Sequence, residues 1–365
     1  MIGAVPLGPL RAAAFKIPTD APEADGTLAW RETVLVVVEI EAGGKTGLGY
    51  TYSAASLVPL IRETLAPCLE DRDALDPPAI AGAMWRAVRN LGRSGMAASA
   101  IAAVDTALWD LKAKLLDVPL ARLFGRRRSD VPIYGSGGFT SYDDARLGRQ
   151  LGDWVERDGC HAVKMKIGSD PARDPERMRV AREAIGRAAL FIDANGALTV
   201  KQAIAMAHEA AELGVIWFEE PVSSDDRAGL ASVRPHVRAP MEIAAGEYVW
   251  TLDDARHLLA EGAVDVLQAD VTRCGGFTGF LAIADLCDAF HLDLSGHCAP
   301  ALHLHAACAA ARFRHLEWFH DHVRIEAMLF DGAPVPHGGR IAPDFSRPGL
   351  GLELKAADAR RYAVS

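Results

Sequence analysis

The sequence predicts an α/β protein whose body is a (β/α)8 TIM barrel preceded by an α+β unit. Two observations carry that reading. From about residue 131, eight short apolar runs alternate with amphipathic helical stretches, the texture of successive βαβ units and a parallel sheet. The residues before them read differently, as a β-branched hairpin followed by helix.

In the first unit, residues 33–40 (TVLVVVEI) are β-branched and stop at the turn-rich Ala42-Gly43-Gly44, and residues 46–51 resume, which predicts a hairpin. Residues 57–116 are patterned as helix and end in an Ala-rich stretch from Met96 suited to close packing, with Pro119 as the stop. The eight runs that follow are 131–134, 162–167, 189–192, 215–218, 241–245, 264–267, 292–295 and 316–319. Between them, Ser141 with Asp144, Thr199 before Val200 and Thr251 with Asp254 signal helix starts, and Gly214 and Gly262 signal ends. A doubly wound open sheet is the alternative, but no glycine-rich dinucleotide fingerprint follows an early strand. The Pro- and Gly-rich segment after Ala333 is expected to return over the first unit, which divides the chain into 1–128, 129–332 and 333–365.

Half of the 365 residues are hydrophobic and 24% are charged, the balance of a globular protein with a large core. Lys and Arg number 39 against 48 Asp and Glu, a net charge of −9 that argues against a nucleic-acid partner. No run approaches 18 apolar residues, and the N-terminal MIGAVPLGPLRAAAFKIP lacks the parts of a signal peptide, so neither membrane insertion nor export is expected. Cys68, Cys160, Cys274, Cys287, Cys298 and Cys308 are scattered without a CxxC pair, which fits reduced thiols and a cytoplasmic location.

In such a barrel the residues just past each strand face one pocket. Here they are Lys164-Met165-Lys166, Asp193 with Asn195, Glu219-Glu220-Pro221, Glu247, Asp270, His297 and Glu317. The steps from Lys166 to Glu317 are 27, 26, 28, 23, 27 and 20 residues, so one ionisable group recurs per βα unit. Charged groups at the ends of buried strands are costly unless paired or bound to a metal. Asp193, Glu219 and Glu247 offer only hard oxygens, a set suited to Mg²⁺. Lys164 and Lys166 share a strand face, where like charge and desolvation would lower a lysine pKa toward that of a base. Asp270 is placed to orient the imidazole of His297. Glu317, if protonated, would donate a hydrogen bond to an oxyanion; the bland alternative is a pair with Arg314. Arg273 would neutralise charge without acting as a base. His303 and His305 are read as core or helix surface, and His320 and His322 as residues that border the pocket or sit in a loop.

Taken together, Lys164-x-Lys166, Asp193, Glu219-Glu220-Pro221, Glu247, Asp270, His297 and Glu317 resemble the enolase superfamily, in its mandelate racemase subgroup, over nearly the whole chain. The resemblance implies an α+β capping domain over a modified barrel. It implies one Mg²⁺ on Asp193, Glu219 and Glu247 that binds the substrate carboxylate and α-hydroxyl, Lys166 tuned by Lys164 as base, and His297 held by Asp270 as acid/base on the opposite face. Glu317 becomes a donor to the enolate. A lysine in run six, as a muconate-cycloisomerase-like site would want, is replaced by Gln268-Ala269-Asp270, which disfavours cycloisomerase and dipeptide epimerase chemistry.

These groups serve two reactions: β-elimination of water from a sugar acid to give a 2-keto-3-deoxy acid, and racemisation or epimerisation of a 2-hydroxy acid. Specificity is expected in residues 19–30 and 49–56. The acidic Asp20, Glu23 and Asp25 there suit a polyol, and Tyr50 and Tyr52 suit the pocket wall, so an acid-sugar dehydratase leads, a racemase follows, and a non-catalytic carboxylate- or metal-binding barrel comes last. Asn195, Tyr50, Tyr52 and His320 are the expected substrate contacts. The partner is thus a small carboxylate, and a homo-oligomer is expected from the resemblance.

Overall fold

In a computed structural model that describes residues 3–364, three antiparallel strands, β1 (Leu10–Ala24), β2 (Ala29–Ala42) and β3 (Lys45–Tyr52), form a sheet in the order β1-β2-β3. The strand β1 is absent from the sequence reading, because its Ala-rich run carries little β-branched signal and is broken by Pro18 and Pro22. As an edge strand it tolerates both, and its register with β2 shifts between Pro18 and Glu23. The Ala-rich helix Met96–Leu115 lies against β3. Gly49 makes that approach possible, since a Cβ there would stand 2.3 Å from Ala103 O.

Eight parallel strands follow: β4 (Val131–Gly137), β5 (Ala162–Lys166), β6 (Ala189–Asp193), β7 (Val215–Glu219), β8 (Glu242–Ala245), β9 (Val266–Ala269), β10 (Asp293–Gly296) and β11 (Phe313–Phe319). Each pairs with the next, and β11 returns to β4 with Leu316 opposite Ile133 and Phe319 opposite Ser136, which closes the barrel. Tyr134, Phe191, Trp217, Ala244 and Val266 form a buried cluster inside it. Capping boxes start the helices Val200–Glu212 (Thr199 with Gln202) and Leu252–Ala260 (Thr251 with Asp254). At the helix Asp144–Glu156 the cap is Asp143 instead of Ser141, whose hydroxyl donates to Pro22 O.

The chain ends against the first unit: Val364 N donates to Ala14 O, and Leu350 N donates to the buried Asp110 Oδ1 at 2.6 Å. The first unit in turn leans over the C-terminal ends of the barrel strands. Thr140 N and Oγ1 donate to Ala24 O and Asp25 O, both at 2.8 Å, and Trp30 packs edge-on against Phe139. Among the described residues no helix is long and apolar enough to cross a membrane.

Candidate active site

Eight ionisable side chains from seven consecutive strands meet at the mouth of the barrel, and all are at least 95% buried. Lys164 sits at the centre. Its Nζ contacts Glu219 Oε1, lies 2.8 Å from Glu317 Oε1 and 3.5 Å from Asp193 Oδ2. Lys166 Nζ, on the same face of β5, donates to Asp193 Oδ2 at 2.6 Å. On the far side His297 Nδ1 is 2.8 Å from Asp270 Oδ2, and its Nε2 is 3.4 Å from Glu247 Oε2.

The backbone is bent to achieve this. Asn195, Glu220 and Cys298, just beyond β6, β7 and β10, have φ of 45°, 37° and 51°, in the left-handed region that non-glycine residues avoid at a cost of about 1–3 kcal/mol each. Each is held by its neighbours: Asn195 N donates to Asp193 Oδ1, Glu220 N to Ala244 O and Cys298 N to Glu317 Oε2.

The electrostatics depart from the sequence expectation at two places. Burial works to lower both lysines, but the facing carboxylates prevail: Glu219 and Glu317 hold Lys164, and Asp193 holds Lys166, above the ordinary lysine value. Glu317 is not a protonated donor. Burial opposes its charge, yet Lys164 and His297 keep it well below the usual carboxylate range, and it accepts from Ser136 Oγ at 2.5 Å and Cys298 N at 3.0 Å. Arg314 plays no part, being occupied with Glu242 and Asp293 on the outer face. Asp270 is likewise held low, because the hydrogen bond and charge of His297 outweigh its burial.

Asp193, Glu219 and Glu247 each offer an oxygen within 4.8 Å of the other two. Glu247 Oε2 is buried with no hydrogen-bond partner, an expensive state for a carboxylate oxygen. An all-oxygen trio with an orphaned acceptor fits a hard divalent cation.

Above this floor lies a cavity of about 350 Å³. Lys166, Asn195, Glu247, Arg273, His297 and His322 line its barrel side, and Asp25, Trp30, Thr33, Tyr52 and Ser53 are among the residues that line its opposite side. Two expected contacts fall elsewhere. Tyr50 is wholly buried, its hydroxyl 2.6 Å from Glu326 Oε1 and its ring stacked on Phe330, because it lies two residues deeper along β3 than Tyr52. His320 pairs with Asp20 at 3.2 Å outside the cavity wall, while His322, stacked on Tyr52 at 3.5 Å, takes the position inside it. Asp20 and Glu23 also stay off the wall, Glu23 being buried and bonded by Trp30 Nε1.

Three supporting residues escaped the sequence reading. Trp217 Nε1 donates to Glu219 Oε2, Thr272 donates through N and Oγ1 to Asp270 Oδ1, both at 2.7 Å, and Ser136 holds Glu317. Trp217 was legible from its i, i+2 relation to Glu219 on one strand. Ser136 was not, since β4 ends without an ionisable group. His303 and His305 are core, accepting from Val271 N and Ala121 N.

Residues 146–359 match the family model of the enolase C-terminal domain-like proteins, and residues 16–125 match that of the mandelate racemase / muconate lactonizing enzyme N-terminal domain. A mandelate racemase/muconate lactonizing enzyme-like protein from Rubrobacter xylanophilus superposes with a TM-score of 0.96 at 51% identity, over 98% of this chain and 100% of that one. The L-talarate/galactarate dehydratase of Salmonella typhimurium, solved with Mg and L-lyxarohydroxamate, superposes with a TM-score of 0.91 at 29% identity, over 99% of this chain and 93% of that one. A 3,6-anhydro-alpha-L-galactonate cycloisomerase of Streptomyces coelicolor is 35% identical over 359 residues, 96% of this chain and 97% of that one. Cycloisomerases therefore stand beside dehydratases among the relatives.

Proposed function

The chain belongs to the enolase superfamily, in its mandelate racemase subgroup, and from that premise we propose that it eliminates water from a sugar acid to give a 2-keto-3-deoxy acid. The observation that carries this reading is the placement of Lys166 and His297, which reach one cavity from opposite sides of the Asp193, Glu219 and Glu247 trio. Mg²⁺ held by that trio supplies the positive charge that a carboxylate needs as its α-proton leaves.

Asp193 holds Lys166 protonated until that carboxylate is engaged by the cation; the freed amine then takes the α-proton, and the electron pair left on the α-carbon forms the double bond to the β-carbon. The β-carbon to oxygen bond breaks, and His297 Nε2 gives the departing hydroxyl a proton, so that water leaves. The enol left behind tautomerises to the 2-keto acid. Asp270 fixes the ring so that Nε2 faces the cavity, and Thr272 fixes Asp270. Lys164 offsets the charge of Glu219 and Glu317 behind the cavity wall. Trp30 and Tyr52 of the cap wall the cavity opposite the barrel.

The cycloisomerase among the relatives favours a second reading on the same groups, in which the oxygen expelled from the β-carbon belongs to a ring. Such a product keeps the mass of its substrate, whereas dehydration loses water.

The test is a screen of Mg²⁺-loaded protein against acid sugars, with 2-keto-3-deoxy acids detected by semicarbazide. Lys166→Ala and His297→Asn are each expected to abolish elimination while retaining the fold; full turnover by both variants rules the reading out. Exchange of the α-hydrogen in D2O with no keto acid formed would transfer it to racemisation.

A further inference from the structure

The walls of the active cavity differ in charge. Every cation that lines it comes from the barrel, and each already has a partner or a chemical task. Lys166 is on Asp193, and Arg273 Nη1 is 3.2 Å from Glu247 Oε1, with its Nε 3.6 Å from Asp270 Oδ2. His297 is held by Asp270. His322 Nδ1 accepts from Ala299 N, and burial drives its pKa down to about 3, so it is neutral.

The cap wall brings two carboxylates, Asp25 and Glu32, and, among the described residues, no Lys or Arg. The nearby cap cation Lys16 is half-exposed and pairs with Glu32 at 2.9 Å from outside the lining. Asp25 Oδ1 is held by Thr27 N at 2.6 Å and Leu28 N at 2.7 Å, which fixes the carboxylate in place. Two residues that line the cavity, Tyr52 and Asn195, each carry a buried polar atom with no protein partner, Tyr52 Oη and Asn195 Oδ1. A phenol that can donate and an amide oxygen that accepts are the complement of alcohol groups. Neither they nor Asp25 can neutralise an anion.

We propose that the substrate is a monocarboxylate whose end remote from the reacting carbons is an uncharged, hydroxylated chain, and that Asp25 excludes diacids. The inference rests on the acid-sugar reading above and narrows its substrate class. A second carboxylate at the cap would face Asp25 and Asn195 with no counter-cation on that wall, and uncompensated like charges so placed are selected against.

The experiment compares five- and six-carbon aldonates with the corresponding aldarates on the Mg²⁺-loaded wild type and on Asp25→Asn, which keeps the Oδ1 acceptor of the turn. The best aldonate is expected to exceed the best aldarate at least tenfold in kcat/KM, and Asp25→Asn is expected to narrow that ratio by raising the diacids. An aldarate that matches or beats every aldonate overturns the inference while leaving proton abstraction intact. An unchanged ratio in Asp25→Asn overturns the role of Asp25. If no acid of the panel undergoes turnover or α-hydrogen exchange, both the inference and the reading beneath it fall.

Discussion

Gly26 couples the cap to the catalytic strands, and replacing it with alanine tests whether that contact sets activity. A Cβ at this position would stand 2.5 Å from Ala194 O, 2.7 Å from Ile167 O and 2.9 Å from Ala197 Cβ, where ordinary contact begins at 3.4 Å. Two of these neighbours are backbone carbonyls just past β5 and β6, next to Lys166 and Asp193, and they cannot swing aside. The loop must therefore retreat by about 0.9 Å, taking Asp25 and Leu28 with it. A misplacement near 1 Å costs on the order of 100-fold when it loosens the alignment of substrate with base. Gly26→Ala is expected to lower kcat/KM by about 10- to 100-fold, while the overpacking lowers stability by only about 1–3 kcal/mol. Steady-state kinetics on the best acid, with urea denaturation of the same samples, reads both. Wild-type kcat/KM in a folded Gly26→Ala protein would refute the claim that this contact positions the cap wall.

Two further outcomes follow from buried polar groups. Burial pushes Glu326 up to about 8, so the folded state keeps a proton that the unfolded chain releases near 4.5; the stability this gives is present at low pH and fades as pH rises toward 8. At 1.36 kcal/mol per pH unit, about 2.7 kcal/mol is lost between pH 5.5 and 7.5. The urea stability of Glu326→Gln relative to wild type should rise by about that amount over the same range, and parallel curves would contradict the assignment. Thr272→Val removes the Oγ1 donor from Asp270 Oδ1 but leaves the backbone donor, and is expected to lower kcat about tenfold with KM little changed. An unchanged kcat would mean that the backbone N–H alone orients the Asp270–His297 pair.

Much of this molecule is legible in its sequence because parallel strands buried on both faces leave continuous apolar runs, and an ionisable residue at the end of such a run has few reasons to be there. Each of the eight runs overlaps a barrel strand, and the carboxylates, lysines and histidine at their ends meet in one place. What the sequence hides is set by contacts between distant segments. The lysines sit above their ordinary pKa because Glu219 and Glu317 reach Lys164, and Asp193 reaches Lys166, from other strands, which the spacing of Lys164 and Lys166 does not reveal. The same holds for Tyr50, whose partner Glu326 lies 276 residues away. The exchange of His320 for His322 at the cavity wall is decided by where the chain turns out of β11 into the helix His320–Leu329, a two-residue distinction beyond the reach of patterning.

In the proposed reaction Lys166 removes the α-proton and His297 protonates the departing oxygen. Proton NMR of the Mg²⁺-loaded His297→Asn protein, incubated in D2O with the acid that the wild type dehydrates best, tests it directly. The α-hydrogen signal is expected to wash out with no 2-keto-3-deoxy acid formed, and Lys166→Ala is expected to leave that signal intact. Loss of exchange in His297→Asn, or its persistence in Lys166→Ala, would contradict the assignment of base and acid.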